Sequence, residues 1–131
     1  MEKPISHMMT KSLHTADTED TVERVEELLD THHLHSVPVV DSKGVIFGII
    51  SAVDLLHFHS MRKNPKALRA WEICTYKPIE VGPDTPVIEV ARLMVKHRIH
   101  HVVVTQNRSI LGLVSAFDFV EQYALKGAAN P

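Results

Sequence analysis

The amino-acid sequence predicts an α+β or α/β fold made of two tandem copies of one unit, each running strand–helix–strand–strand–helix. The first observation is a repeated segment, GIISAVD at 48–54, which returns 64 residues later as GLVSAFD at 112–118. The second is a helical spacing of apolar residues over 22–29 that returns over 87–94, 65 residues later. The chain is therefore predicted to be an internal duplication.

The two predicted copies are residues 1–64, with an N-terminal lead-in, and residues 65–131, with a linker helix and a short C-terminal tail. A unit of about 60 residues is marginal as an independent core. We therefore expect the copies to pack sheet against sheet as one structural unit with pseudo-twofold symmetry. Such a body has two equivalent clefts where the copies meet.

The first copy is expected to begin with a helical turn near Ile5 and a brief strand over 12–16. A helix then starts at Asp20, with Glu23 as its capping-box partner. A strand over 37–40, a turn and a strand over 45–50 form a hairpin. The second helix runs from Ala52 to about Met61.

The second copy follows a polar linker that contains Pro65. A short helix is predicted from Ala67 to Ile73. The next helix is expected to use Thr85 as its cap and Pro86 as its first residue. A hairpin and a last helix complete the copy.

Composition and charge exclude several classes of function. The chain has 131 residues, which is the length of one domain, and a formal charge of −2. No basic field is present for binding nucleic acid. The single cysteine, Cys74, excludes an intramolecular disulfide framework and suits a reducing compartment. No apolar run has the length of a signal core or a membrane span, so we expect a cytoplasmic protein without a membrane partner.

The repeated Ser-x-x-Asp segment has two interpretations. In one, Ser51 and Ser115 cap two helices, and Asp54 and Asp118 favour the positive ends of the helix dipoles. In the other, the same serine and helix amides hold a phosphate, and the carboxylate accepts from the hydroxyls of a ribose. Because the whole context is duplicated, the second interpretation gains weight.

Cationic residues favour the second copy as the stronger anion site. They are Lys77, Arg98, His100 and His101. A guanidinium and imidazoles beside a helix start add charge-assisted donors to the amides of that helix. We therefore expect the second cleft to bind phosphate better than the first.

The duplicated motifs, an apolar run with proline before a turn and G-h-h-S-x-x-D after it, resemble the cystathionine β-synthase (CBS) domain pair, or Bateman module. The resemblance covers Ile5 to Ala124. It implies a regulatory module that binds AMP, ADP, ATP or S-adenosylmethionine as ligand, requires no cofactor, and controls a partner protein that the sequence does not identify.

The resemblance also assigns site residues. It implies that Ser51 and Ser115 contact phosphate, and that Asp54 and Asp118 hold ribose hydroxyls. The other implied nucleotide-binding residues are His35, Val37, Pro38, Lys77, Ile79, Arg98, His100 and Val102. Val103 departs from the family pattern, because it supplies an N–H where Pro38 has none, so the shape of the second base pocket is expected to differ.

Two alternatives are weaker. Histidines cluster at 32–35, 57–59 and 97–101, but none of these clusters has the ligand spacing of a zinc site. Adventitious metal binding or pH-sensitive surface positions explain them as well. No nucleophile–base pair is visible, so no enzymatic activity is expected.

A third alternative is an interaction module without a ligand. Surplus apolar side chains on two predicted helices suggest a partner surface, most simply a second copy. The residues expected there are Phe58, Met61, Phe117 and Leu125. The resemblance also implies a homodimer through these helices, and dimerisation is compatible with ligand sensing.

Overall fold

The computed structural model describes residues 3–11 and 13–124, and it confirms an α+β fold with two repeats of strand and helix elements and two sheets. The helices are α1 (Val22–His32), α2 (Ala52–Ser60), α3 (Ala70–Ile73), α4 (Val87–His97) and α5 (Ala116–Gln122). The strands are β1 (Ala16–Asp17), β2 (Ser36–Val40), β3 (Ile46–Ser51), β4 (Thr75–Tyr76), β5 (Glu80–Val81), β6 (His101–Gln106) and β7 (Ser109–Ser115). A short 3₁₀ helix, Ile5–His7, precedes them.

The first-repeat unit contains residues 13–78 and a four-stranded sheet in the order β1-β2-β3-β4. β1 is parallel to β2, whereas β2–β3 and β3–β4 are antiparallel. Apolar residues of α1, α3 and the strands form its core, because their side chains return at helical and strand spacing. The buried members are Ala16, Val25, Leu29, Val37, Val39, Ile50 and Ala70.

The second-repeat unit contains residues 3–11 and 79–124, with a three-stranded sheet in the order β5-β6-β7. The long hairpin β6–β7 supplies most of the sheet, and Thr10 extends it by pairing with Leu113 at N–O distances of 3.0 and 3.2 Å. The buried core residues are Ile5, Val87, Val90, Met94, Val102, Val104 and Val114.

The segment before each repeat joins the compact unit of the other repeat. Ile5, at the N-terminal end, is fully buried in the core of the second-repeat unit, where its amide donates to the carbonyl of Thr85 at 2.7 Å. Ala70, in the linker, is fully buried in the first-repeat unit, and its amide donates to the carbonyl of Asp20 at 2.7 Å. The compact units thus have different boundaries from the sequence copies 1–64 and 65–131.

Two predicted helix starts are wrong by one residue. Thr21, not Asp20, caps α1, because its hydroxyl accepts from the amide of Arg24 at 3.1 Å. Asp20 instead accepts from the amide of Asp17 at 2.9 Å. Pro86 is the N-cap of α4, and it has an extended backbone rather than a helical one.

Two further boundaries also shift. α3 begins at Ala70 rather than Ala67, since residues before Arg69 form turns. The strand expected over 12–16 occupies only Ala16–Asp17. No helix among the described residues combines the length and the apolar character that a membrane span requires.

Candidate functional site

The first helix start that carries candidate site residues is that of α2. The amide of Ser51 donates to Oδ2 of Asp54 at 2.8 Å, and the amide of Asp54 donates back to Oγ of Ser51 at 3.4 Å. The hydroxyl of Ser51 also donates to Oδ2 of Asp54 at 3.0 Å. This reciprocal arrangement is a capping box.

The start of α5 repeats this geometry in the second-repeat unit. The amide of Ser115 donates to Oδ2 of Asp118 at 2.7 Å, and the amide of Asp118 donates to Oγ of Ser115 at 3.1 Å. Both repeated segments therefore cap helices, as the simpler interpretation requires. The capping bonds use Oδ2, so Oδ1 of each aspartate takes no part in the box.

The residues directly before β2 and β6 lie beside the capping boxes. The carbonyl of His35 accepts from the amide of Ala52 at 3.0 Å, and the carbonyl of His100 accepts from the amide of Ala116 at 2.8 Å. These bonds tie the backbone of both predicted histidines to the first turn of the adjoining helix. The side chains of His35 and His100 are exposed.

The strand register gives a position to His101, which the sequence predicts only as a source of positive charge. In the second-repeat unit His101 pairs directly with Ser115, and in the first-repeat unit Ser36 pairs with Ser51. Directly opposed residues of an antiparallel pair present side chains on the same face. His101 is half-buried and belongs beside the capping serine, a relationship that only the register shows.

Arg98 ends α4 in a left-handed conformation, with φ of 53°. Its amide bonds to carbonyls of Met94 and Val95, so the backbone is fixed while the side chain is exposed. His33 occupies the matching position at the end of α1, with φ of 54°. The second repeat therefore has a guanidinium where the first has an imidazole.

Some of the residues assigned to the base pocket can offer a ligand only their backbone, because their side chains are buried. Val37 and Val102 are fully buried in the cores of their own units, so their side chains serve packing. The amide of Val103 donates to the carbonyl of Ile79 at 3.0 Å. Pro38 has no amide hydrogen for the equivalent bond, so the two strand pairs differ at this point.

Lys77, which the sequence predicts for the second cleft, lies in the first-repeat unit. Its amide donates to the carbonyl of Phe47 at 3.2 Å, and its Nζ lies 5.5 Å from the centroid of the Tyr76 ring. The second-repeat unit contains Ser115, Asp118, His100, Arg98, Val102 and Ile79. The first-repeat unit contains Ser51, Asp54, His35, Val37, Pro38 and Lys77.

An open pocket of about 480 Å³ lies between the end of α1 and the start of α2. Its lining brings His35 together with two carboxylates of α1, a proximity that the sequence does not indicate. The lining residues are Glu26, Leu29, Asp30, His33, Leu34, His35, Ala52 and Leu55. The carboxylates of Glu26 and Asp30 make this part of the first repeat less favourable for an anion.

Two of the clustered histidines, His32 and His59, are engaged in other contacts. The rings of His14 and His32 stack with centroids 3.6 Å apart, and Nε2 of His59 lies 2.9 Å from Oε2 of Glu26. Within residues 3–11 and 13–124, no three histidine, cysteine, aspartate or glutamate side chains are arranged to hold a metal ion.

Cys74 packs against the strand that leads to Ser51. Partial burial raises the pKa of the Cys74 thiol to about 11, a backbone hydrogen bond opposes this shift, and the charge of Asp54 adds to it. The thiol is therefore neutral near neutral pH, so it lacks the thiolate that a nucleophilic cysteine needs.

Comparison with known proteins identifies both repeats. The family model of the CBS domain matches residues 5–60 and 70–125. The chain is 30% identical over 115 residues to an uncharacterized protein, YlbB, of Bacillus subtilis, a match that covers 87% of this chain and 78% of YlbB. It is 32% identical over 117 residues to inosine-5′-monophosphate dehydrogenase of Halobacterium salinarum, where the match covers 88% of this chain but 23% of the enzyme.

Among solved structures, the CBS domain pair of protein MJ0100 was crystallised with 5′-methylthioadenosine and S-adenosyl-L-methionine. Its sequence is 26% identical, and the match covers 92% of this chain and 98% of that one with a TM-score of 0.83. The similarity therefore extends over nearly the full length of both chains.

Proposed function

Since this chain belongs to the CBS domain family, we propose that it is a regulatory module that binds an adenine nucleotide or another adenosine derivative and modulates a partner protein. The observation that carries the proposal is the pair of matched Ser–Asp boxes, each joined by a backbone hydrogen bond to a histidine, His35 or His100, that directly precedes a strand. The MJ0100 pair, which binds two adenosyl compounds, supports the ligand class.

In the second repeat, we assign the phosphate to Ser115, His100, His101 and Arg98. Hydroxyl, imidazole and guanidinium donors suit phosphate oxygens, and the guanidinium of Arg98 can donate two parallel hydrogen bonds to a phosphate. Asp118 accepts from the ribose hydroxyls through Oδ1, which the capping box leaves unused. Ile79 and the backbone of Val102 and Val103 line the base pocket.

In the first repeat, Ser51 and Asp54 take the equivalent roles, with His35 and the backbone of Val37 and Pro38 around them. The nearby carboxylates of Glu26 and Asp30 repel a phosphate. The end of α1 carries His33, whereas the matching end of α4 carries Arg98. We therefore propose that the second repeat binds phosphorylated ligands more tightly.

We further propose that the module is cytoplasmic and has no catalytic activity of its own. The CBS pair is a minor part of its enzyme relatives, 23% of the length of the dehydrogenase. Regulation requires that the ligand bind one conformation or assembly of the module and its partner better than another. The chemistry of the regulated reaction would then belong to the partner.

We also propose that the module self-associates through its helices, with one correction to the expected surface. Phe58 is only 1% exposed and fills the interior, because its position on α2 faces inward. Met61 and Phe117 are exposed, as a partner surface requires, and Leu125 lies outside the described residues. A ligand-free dimerisation module remains the second candidate, supported by these exposed apolar side chains.

A thermal-shift panel with AMP, ADP, ATP and S-adenosylmethionine tests the function. A ligand at a hundred times its dissociation constant stabilises the folded state by about 2.7 kcal/mol, so at least one compound should raise the midpoint by several degrees. If none does, the dimerisation module is the better account.

A further inference from the structure

Thr105, at the end of β6, is buried and polar, and its partner is a carboxylate on the neighbouring strand. Within residues 3–11 and 13–124 it is the one polar residue that is buried, with 8% of its surface exposed. Its hydroxyl donates to Oε1 of Glu80 at 3.0 Å. A buried hydroxyl that loses its partner is costly. The bond therefore ties the hairpin β6–β7 to β5, a strand of only two residues.

This bond lies on the face of the sheet that also carries Val103. Side chains alternate along a strand, so Val103 and Thr105 share the face opposite to the core valines of β6. Glu80 pairs with Val103 and lies on the same face, next to Thr105. The bond is thus one residue away from Ile79, which we assign to the base pocket.

A backbone bond reinforces the contact at the adjacent residue. The amide of Val103 donates to the carbonyl of Ile79 at 3.0 Å. Ile79 also packs against the apolar core of the second-repeat unit. Successive residues of this segment, Ile79 and Glu80, are therefore each bonded to β6.

The first repeat cannot make either bond. Pro38 stands at the position of Val103 and has no amide hydrogen. Val40 stands at the position of Thr105, 65 residues earlier, and its side chain has no donor. The position of Glu80 is taken by Thr15. The two bonds are therefore a property of the second repeat.

The hairpin turn brings a cation to the same carboxylate. Asn107 and Arg108 both have positive φ, 52° and 67°, and a two-residue turn of this type favours glycine at its second position. Arginine is strained there, and its Nε lies 3.7 Å from Oε2 of Glu80. Because the Arg108 side chain is 61% exposed, this ion pair is weak. Thr105 is therefore the main partner of Glu80, and Arg108 helps to orient it.

We propose that Glu80 and Thr105 are positioning residues of the second repeat, whose bond holds Ile79 beside the backbone of Val103, where the base of the ligand is recognised. The inference rests on the proposed function and adds the residues that form this pocket in advance. A segment that is already ordered avoids the entropy cost of ordering when the ligand binds. The base should therefore bind more tightly in the second repeat.

Amide hydrogen exchange and ligand affinity, measured on the same variants, test this role. Thr105→Val keeps the side-chain volume and removes the donor. The amide of Val103 should then exchange about fivefold faster, while amides of the first-repeat unit stay within about twofold of wild type. For whichever of AMP, ADP, ATP and S-adenosylmethionine wild type binds most tightly, the dissociation constant should rise about fivefold.

Further variants separate positioning from a loss of fold. Thr105→Ser returns the hydroxyl and should restore exchange and affinity to within about twofold of wild type. Thr15→Val removes a hydroxyl at the matching exposed position of the first repeat and should change neither quantity. Glu80→Thr combined with Thr105→Val installs the residues that the first repeat carries at these positions. This double variant should fold, and it should show the same faster exchange and weaker binding as Thr105→Val.

The failures can be told apart. If wild type binds none of the four compounds, the proposed function is wrong, and the role of Glu80 and Thr105 in binding is wrong with it. If wild type binds a compound but Thr105→Val changes neither Val103 exchange nor affinity, only the positioning role is wrong. Failure of Thr105→Ser to restore affinity would also overturn the positioning role alone.

Discussion

Ser115 and Asp118 hold each other at the start of α5, where one amide-to-carboxylate bond of 2.7 Å and one amide-to-hydroxyl bond of 3.1 Å close the first turn. The residues that we assign to the ligand therefore also stabilise the fold. Any substitution at these positions acts on both stability and binding. Stability and affinity must consequently be measured in separate experiments.

We predict that Ser115→Ala lowers the free energy of unfolding by about 1 kcal/mol without ligand, because a helix cap is lost. Thr21→Ala, which removes the cap of α1, should cost a similar amount. Urea unfolding measures both. Only Ser115→Ala should also weaken nucleotide binding, and equal loss of affinity in both variants would contradict the assignment.

We predict that Gly48→Ala is more destabilising than Gly112→Ala. A Cβ on Gly48 would lie 2.6 Å from Sγ of Cys74 and 2.7 Å from the carbonyl oxygen of Thr75, which is backbone and cannot rotate away. The three heavy atoms nearest to a Cβ on Gly112 all belong to the flexible side chain of Met9. Urea unfolding should show a loss of about 1–3 kcal/mol for Gly48→Ala.

A second substitution distinguishes the cause of the clash at Gly48 from the cause at Gly112. Met9→Ala should relieve most of the effect of Gly112→Ala, whereas Cys74→Ala should relieve Gly48→Ala only in part, since the carbonyl of Thr75 remains. Full relief by Cys74→Ala would contradict this account.

We predict that Cys74 reacts slowly with iodoacetamide at about pH 8, because its raised pKa leaves about a hundredfold less thiolate than in the unfolded chain. The rate should climb as the pH approaches 11, whereas the denatured chain should titrate near 9.0. A native rate equal to the denatured rate at about pH 8 would contradict the raised pKa.

The same shift has a consequence for stability. The folded state keeps the proton of Cys74 at pH values where the unfolded chain loses it, so its contribution to stability is present below pH 9.0 and is lost as the pH rises toward 11. Cys74→Ser should flatten this part of the pH dependence.

We predict that Val103→Pro destabilises the second repeat. The substitution removes the amide that donates to the carbonyl of Ile79 at 3.0 Å and leaves that carbonyl without its strand partner. Loss of such a bond costs about 1–3 kcal/mol. Urea unfolding measures the loss, and Val103→Ala controls for the lost side-chain volume. Equal losses in both variants would show that this hydrogen bond is unimportant.

The duplicated architecture was predictable because both copies repeat long patterns, the apolar stripe of 22–29 and the segment 48–54. Both capping boxes follow from the spacing of serine and aspartate alone. Helix starts were less certain, because Asp20 and Thr21 are both good caps and only hydrogen bonding distinguishes them.

Other features depend on contacts distant in sequence. The segment before each repeat joins the compact unit of the other repeat through the burial of Ile5 and Ala70 and through strands of only two residues. Such short segments carry no periodic signal in the sequence. The burial of Phe58 likewise depends on what packs over α2. The position of His101 beside Ser115 shows only in the strand register.

The most direct test of the proposed function is equilibrium dialysis of AMP, ADP, ATP and S-adenosylmethionine against wild type, Asp54→Asn and Asp118→Asn. Asparagine retains a capping side chain but loses the carboxylate charge. We predict that at least one compound binds wild type, and that Asp118→Asn weakens it about tenfold or more by removing charge-assisted bonds to the ribose. Absence of binding by all four compounds, or binding that neither aspartate variant changes, would contradict the proposal that these boxes form the ligand site.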